Sequence, residues 1–327
     1  MTITVGLGPE AHRTAAAVRD GREATVLGDG VRRYLPHDNR AVTADDVLDW
    51  PETPWDNDFA DVLRRRISGH LGLAGSVADE DVRLVVSACR PVDVTRVGAT
   101  ELAGAGLVSA DQVHPADALL CRWLAARPRA AQSVVVAAVG DAATVVQAYE
   151  LLGTGPVPRV RRLTHAARAD GALPLTRRMA ADVLGRLRPG TRVPAQAFAD
   201  GVADFASRVA AAPDGARVAW TGPFADRLRP PLLVSVDELR SWPEREVIAD
   251  AVAAVARATD RPAIVLGGPG AVWPLAGRAW RSASPADDLA IGAAWWPKFA
   301  ARFEAPLDLP ETDASPRPAV LPPWQRG

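Results

Sequence analysis

The segment that most constrains the fold lies at residues 263–296, AIVLGGPGAVWPLAGRAWRSASPADDLAIGAAWW. It begins with a short apolar run followed by two glycines, which predicts a buried β-strand that ends in a turn. A helix is expected after the turn, with Trp273 and Trp280 one helical face apart and buried. An Asp-led segment that ends in Ile-Gly-Ala-Ala follows. The segment therefore predicts a strand and a helix joined by a turn that needs glycine.

This segment resembles the adenosine-binding end of the actin-like ATPase fold, specifically in the seventy-kilodalton heat-shock chaperone family. In that family a Gly-Gly turn after a strand brings the backbone close to adenine and ribose, and Gly267 and Gly268 match it. The family then has an Asp-Pro-x-x-x-Val-Ala-x-Gly-Ala-Ala run that opens the helix back to the core. Residues 284–294, SPADDLAIGAA, follow this run closely. The resemblance implies that Gly267, Gly268 and Asp287 belong to an adenosine site.

Other segments resemble the family in the same order along the chain. A hairpin pattern at residues 2–26, with an Asp20-Gly21 turn, takes the place of the first phosphate loop. Two apolar strands at 133–150, around Gly140 and Asp141, take the place of the second. His114 stands where the family has a Glu at the start of a helix. Further elements are a strand at 84–87, helices at 59–73 and 90–107, and a strand, a capping box and one long helix at 232–257.

The resemblance implies a two-lobed, actin-like (ribonuclease H-like) α/β ATPase fold, trimmed relative to the family's ATPase domain. Lobe I is expected at residues 1–130 with the first phosphate-loop hairpin. Lobe II is expected at 131–305 with the second phosphate loop and the adenosine turn. Residues 306–327 are rich in Pro, Asp and Ser and predict a flexible tail, in which Trp324 is the expected docking anchor. An isolated ATPase-like body is expected, without the chaperones' substrate-binding domain.

The two phosphate loops depart from the residues that bind magnesium and ATP in the family. The family's first loop, Asp-Leu-Gly-Thr-Thr, is replaced by residues 6–10, GLGPE, which keep Gly8 but lose the carboxylate that organises magnesium in the family. Pro9 removes a backbone N–H donor, and Glu10 brings a negative charge towards the phosphates. The second loop, Asp-Leu-Gly-Gly-Gly-Thr, becomes residues 138–143, AVGDAA, which keeps Gly140 and adds the charge of Asp141.

Such charges oppose phosphate binding strongly. A carboxylate about 4 Å from a phosphate oxygen costs on the order of 4 kcal/mol at an effective dielectric constant near 20, which is roughly a thousandfold in affinity. The family's catalytic lysine comes from its first lobe, whereas the only lysine here is Lys298, and the arginines at 64–66 are poor substitutes. The loops are interpreted as ordinary tight turns of a scaffold. The alternative is a site rebuilt around His12, His114, Glu10 and Asp141.

Composition narrows the function classes. A formal net charge of −1 does not favour nucleic-acid binding. No apolar run reaches the roughly 18 residues of a membrane span, and the N-terminus lacks signal-peptide features, so a cytoplasmic protein without membrane insertion is expected. Cys89 and Cys121 lie in apolar surroundings and are expected to be buried, reduced thiols. The single lysine among 38 basic residues indicates a high-GC, actinobacterial genome.

The sequence thus predicts a non-catalytic scaffold, a pseudo-ATPase that binds a protein partner, with secretion or division machinery as the suggested setting. No catalytic residue, metal site or cofactor is assigned, and weak adenosine or nucleotide binding is left open. The alternative is a nucleotide-dependent enzyme, either a weak ATPase chaperone or a kinase-like transferase, that uses the adenosine turn. The arginine-rich segment 159–193, with one helix at 175–187, is either an anion-binding face or a solvated face balanced by acids.

Overall fold

The computed structural model of the chain describes residues 3–8, 14–19, 24–27, 41–42, 82–87, 89, 110–126, 131–141, 143–153, 158–168, 170–188, 191, 193–276 and 278–304. Several sequence expectations lie outside these ranges. They are the Asp20-Gly21 turn, the helices at 59–73 and 90–107, the tail at 306–327, and the residues Pro9, Glu10, His12 and 64–66.

The described strands fall into two larger sheets and two small pairs. They are β1 (Ile3–Gly8), β2 (Thr14–Arg19), β3 (Ala24–Val26), β4 (Ala41–Val42), β5 (Val82–Val86), β6 (Ala110–Gln112), β7 (Ser133–Val139), β8 (Thr144–Leu152), β9 (Arg159–Arg168), β10 (Val193–Pro194), β11 (Arg217–Ala219), β12 (Leu233–Ser235) and β13 (Ala263–Gly267). The described helices are α1 (Pro115–Ala125), α2 (Leu173–Leu184), α3 (Ala195–Ala211), α4 (Val236–Arg240), α5 (Pro243–Arg257) and α6 (Asp288–Phe299).

The two larger sheets repeat one arrangement of strands. The first sheet has the order β3-β2-β1-β5-β6, in which the first three strands are antiparallel and β5 runs parallel to β1. The second has the order β9-β8-β7-β13, again with three antiparallel strands and with β13 parallel to β7. In each sheet a meander is therefore extended by a later strand beside its first strand. With helices packed on these sheets, the described chain is an α/β protein.

The central strand β7 is buried on both faces. Val135, Ala137 and Val139 join the core formed with α2, α3 and α5, whereas the alternate residues Val134 and Val136 join the core formed with α1. A strand covered on both faces has no polar side, so its sequence is a continuous apolar run. The predicted pair of strands around Gly140 and Asp141 is confirmed.

Helices α1 and α6 cross between the two sheets. Helix α1 follows the first sheet in the chain but packs on β7, β8 and β13 of the second sheet. Helix α6 follows the second sheet but packs on β1, β2 and β5 of the first. The two helices also pack on each other, where a Cβ at Gly292 would overlap the carbonyl group of Ala118. We call this contact the helix crossing.

The structure corrects the prediction for the arginine-rich segment. Residues Arg159–Arg168 form β9, an edge strand that the sequence analysis did not identify, and the helix that follows is Leu173–Leu184 rather than 175–187. Charged side chains are common on edge strands, and here Arg161 lies opposite Glu150 on β8 with a 3.1 Å contact between Nη1 and Oε2.

The prediction of one long helix ending at residue 257 is wrong in the number of helices. Two helices, α4 and α5, form in its place, and Pro243 begins the second because proline fits the first turn of a helix but not its interior. The cap at Ser235 is confirmed, since its hydroxyl accepts a hydrogen bond from the Glu238 N–H at 2.9 Å.

The prediction of a helix directly after the glycine turn is wrong. Only a 3-10 turn, Pro269–Val272, forms there, and Pro274 cannot continue a helix. Trp273 is buried as predicted, but Trp280 is not on a helix with it. The Trp280 backbone covers the edge of β13, donating to the Ile264 carbonyl at 2.8 Å and accepting from the Leu266 N–H at 3.0 Å.

Candidate functional site

The glycine turn after β13 is a close contact between backbone segments. Gly268 has a φ of 91°, a conformation that favours glycine, and its N–H donates to the Pro285 carbonyl at 2.8 Å. A Cβ at Gly268 would lie 2.6 Å from the carbonyl oxygen of Val139. A Cβ at Gly267 would meet the side chain of Leu119 on α1. The space beside both glycines is therefore filled by protein atoms.

The loop between β7 and β8 uses its backbone to hold the start of α2. The Gly140 N–H donates to the Ala143 carbonyl at 2.8 Å, and the Gly140 carbonyl accepts from the Ala172 N–H at 2.9 Å. The Asp141 carbonyl accepts from the Leu173 N–H at 2.8 Å, and the Asp141 side chain is buried. The loop is closed against the protein by these contacts.

Four of the five residues predicted for the site lie around one place, which we call the junction. It is formed by the loop after β7, the glycine turn and the 3-10 turn Pro285–Asp287, which all contact one another or β13. Gly140, Gly267, Gly268 and Asp287 belong to these three segments. Gly8 ends β1 in the first sheet, opposite Thr14, and the hairpin approaches the junction through β2, which contacts the 3-10 turn.

Two further residues singled out in the sequence, His114 and Lys298, lie outside the three segments of the junction. His114 immediately precedes α1, is exposed, and makes no capping hydrogen bond with its side chain. Lys298 lies in the last turn of α6, with its ammonium 4.5 Å from the centre of the Trp295 ring.

Asp288, next to the predicted Asp287, is a buried acid at the junction. Its side chain is fully buried, and its Oδ1 accepts a hydrogen bond from Nε of Arg122 on α1 at 3.1 Å. Burial raises the pKa of Asp288 to about 7, although hydrogen bonding with Ser282 and the charge of Arg122 lower it. The sequence analysis assigned Asp287 to the site and did not distinguish the buried Asp288 from it.

A second buried acid, Asp117 on α1, was also missed. The Tyr149 hydroxyl donates to its Oδ1 at 2.7 Å, and Arg162 donates from Nη2 to Oδ2 at 2.6 Å and from Nε to Oδ1 at 3.2 Å. Burial, followed by the charge of Asp117, raises the pKa of Tyr149 well above its usual value. A signal was present, since a lone acid in an apolar helix start and a tyrosine in an apolar strand both require polar partners when buried.

Four of the described arginines in segment 159–192 form ion pairs with acidic side chains. Arg159 and Arg161 contact Glu304, Arg162 contacts Asp117, and Arg178 contacts Glu244. These pairs favour the interpretation of a face balanced by acids over an anion-binding face.

The comparisons with known proteins assign no family. No protein-family model matches the sequence, and no curated protein matches it significantly. Within the described ranges, no three His, Cys, Asp or Glu side chains lie close enough together to hold a metal ion. None of the helices that the structure describes combines the length and apolar character needed to cross a lipid bilayer. Cys89 and Cys121 are both buried, as predicted, and neither forms a disulfide with a described residue.

Replacing Gly268 with alanine tests the packing of the glycine turn. We expect a loss of about 2–3 kcal/mol in the free energy of unfolding, because the new Cβ meets Val139 and the positive φ disfavours alanine. Gly215 is the matched control, since it has a φ of 76° but open space around a Cβ. Its alanine variant should lose only about 1–2 kcal/mol. Equal losses in denaturant unfolding would contradict the close approach to Val139.

Proposed function

We propose that the chain is a two-lobed, actin-like scaffold with a degenerate nucleotide site, and that it works by binding a protein partner. The repeated strand order supports this fold, because a duplicated sheet with a meander and a parallel added strand is what two lobes of one ancestry would have. The helix crossing supports it as well, since each half contributes a helix to the sheet of the other.

The proposal depends mainly on one observation: backbone groups of the loop after β7 are hydrogen-bonded within the protein. A phosphate-binding loop must direct free backbone N–H groups at the ligand. The Gly140 N–H already donates to Ala143, and the carbonyl groups of Gly140 and Asp141 hold the start of α2. The described part of this loop does not fit a phosphate group, so ATP chemistry is not part of the proposed function.

The packing of the glycine turn also supports a structural role rather than nucleotide binding. In a nucleotide site the missing Cβ atoms would make room for adenine and ribose, but Leu119 and the backbone of Val139 occupy that room here. The turn acts as a structural contact between β13, α1 and the loop after β7. A scaffold with a rigid centre offers its outer surfaces to a partner, and we propose a protein as that partner.

Nucleotide binding gives the direct test. We expect no ATP hydrolysis above background and no rise in melting temperature with millimolar ATP and magnesium, because a ligand that binds the native state must stabilise it. A ligand present at 100 times its Kd would add about 2.7 kcal/mol, which a thermal-shift assay detects readily. Adenosine, which carries no phosphate, should stabilise the protein at least as much as ATP does.

The alternative enzyme predicts the opposite result in the same assay. A magnesium-dependent stabilisation by ATP, lost on addition of EDTA and in a Gly268→Leu variant but kept in a Gly215→Leu variant, would replace the scaffold with a nucleotide-dependent enzyme. If ATP stabilised the protein more than adenosine without magnesium, the phosphate part of the argument alone would be wrong.

A further inference from the structure

The contact between Asp288 and Arg122 connects three elements at the centre of the molecule. Asp288 is the first residue of α6, Arg122 lies in the last turn of α1, and Gly267 is the last residue of β13. A Cβ at Gly267 would lie 3.2 Å from Cβ of Asp288, so the acid packs directly on the end of β13. A change of charge at Asp288 would therefore act on α1, α6 and β13 together.

We propose that the Asp288 carboxyl group is a protonation switch at the junction, which holds α6 closely against α1 and β13 when protonated and loosens these contacts when charged. The group that titrates, Asp288, is not one of the residues assigned to the nucleotide site, and the switch goes beyond the proposed scaffold function.

The surroundings of Asp288 are poor for a negative charge. The side chain is fully buried, while that of Arg122 is 26% exposed and engages only Oδ1. Oδ2 has no hydrogen-bond partner among the described residues. A buried carboxylate with one oxygen unsatisfied is costly, and hydrogen bonding with Ser282 together with a partly solvated arginine offsets this cost incompletely.

Few other charged groups face Asp288 from the elements packed against it. Asp287 in the 3-10 turn is a like charge that also opposes ionisation, and β13 carries no titratable residue. Arg281, beside Ser282, donates to the Ala276 carbonyl instead. The remaining charges on α1 and α6 are Asp117, which pairs with Arg162, and Lys298, which lies over Trp295.

The direction of the pH effect follows from proton linkage. The pKa of Asp288 is about 7 in the folded protein, mainly because of burial, and its usual value is 3.8. The folded state therefore holds the proton more tightly than the unfolded state, and stability falls as the pH rises from about 4 through about 7. For these two values the linkage gives about a hundredfold decrease in the folding equilibrium constant between pH 5 and pH 8.

Denaturant unfolding of three proteins between pH 5 and pH 8 tests the switch. Relative to Asp288→Asn, the wild type should lose about a hundredfold in its folding equilibrium constant over this range. Asp287→Asn is the matched control, since it removes an adjacent carboxylate that adds only a smaller part to the raised pKa of Asp288; its loss over this range should be slightly smaller than that of the wild type. Identical pH profiles of the wild type and Asp288→Asn would overturn the proposal.

Hydrogen exchange of the wild type keeps the test valid if Asp288→Asn does not fold. After correction for intrinsic rates, amides in α6 and α1 should lose about tenfold in protection between pH 6 and pH 8. Helix α2 is the internal reference and should lose no more protection than α6 and α1. No loss in α6 and α1, or a larger loss in α2 than in both of them, would overturn the proposal.

Discussion

Replacing Gly292 with alanine is expected to destabilise the protein by about 3 kcal/mol, the upper end of the usual range for overpacking. Gly292 lies in the middle of α6, and a Cβ there would overlap the carbonyl of Ala118 on α1. Both contacting groups belong to helix backbones, which cannot move apart without separating α6 from the first sheet. Denaturant unfolding monitored by tryptophan fluorescence measures the loss.

Gly185→Ala is the control for this variant. Gly185 caps the end of α2 with a φ of −63°, a conformation that alanine adopts readily. The free energy of unfolding of the Gly185→Ala variant should change by no more than about 1 kcal/mol, since the alanine also reduces the conformational freedom of the unfolded chain. If Gly292→Ala were as mild as Gly185→Ala, the two helices would not be in the close contact described.

Removing the buried acid Asp117 is expected to cost about 3–5 kcal/mol, the range for breaking a buried ion pair. Asp117→Ala leaves the largely buried guanidinium of Arg162 without its bidentate partner and the Tyr149 hydroxyl without its acceptor. Tyr149→Phe should cost less, about 1–2 kcal/mol, because only one hydrogen bond is lost. The double variant should lose less than the sum, because the two changes remove the same hydrogen bond.

Asp111→Ala is the control for an exposed pair. Asp111 contacts Arg83 at 2.5 Å, but both side chains are about half exposed, so solvent screens the pair and its loss should cost less than about 1 kcal/mol. Similar losses for Asp111→Ala and Asp117→Ala in denaturant unfolding would mean that burial does not set the strength of these pairs.

The sequence predicts well those elements whose information is local. The strands β7 and β13 are almost entirely apolar runs, β8 is largely apolar, and the Ser235 cap requires only residues three apart. The edge strand β9 was missed because its arginines hide the alternation of buried and exposed residues. Arg161 on this strand pairs with Glu150 and Glu304, and Glu304 is distant from it in the chain.

The acids at the centre could not be ranked from the sequence for a related reason. Asp287 and Asp288 are adjacent and look equivalent, and only packing against Gly267 and Arg122 makes Asp288 the buried one. Likewise, nothing near Asp117 in the chain reveals that Arg162 and Tyr149 reach it from β9 and β8. Burial by distant segments is what local patterns do not contain.

The placement of α6 on β1 has a consequence for how the chain folds during synthesis. Strand β1 leaves the ribosome long before helix α6, which covers it, because α6 begins 280 residues after β1 ends (288 − 8). This face of the first sheet stays uncovered until α6 has been made, and contacts of such long sequence separation slow folding. Until then its apolar face is open to aggregation or to a chaperone, so truncation before residue 288 should yield insoluble protein rather than a smaller folded unit.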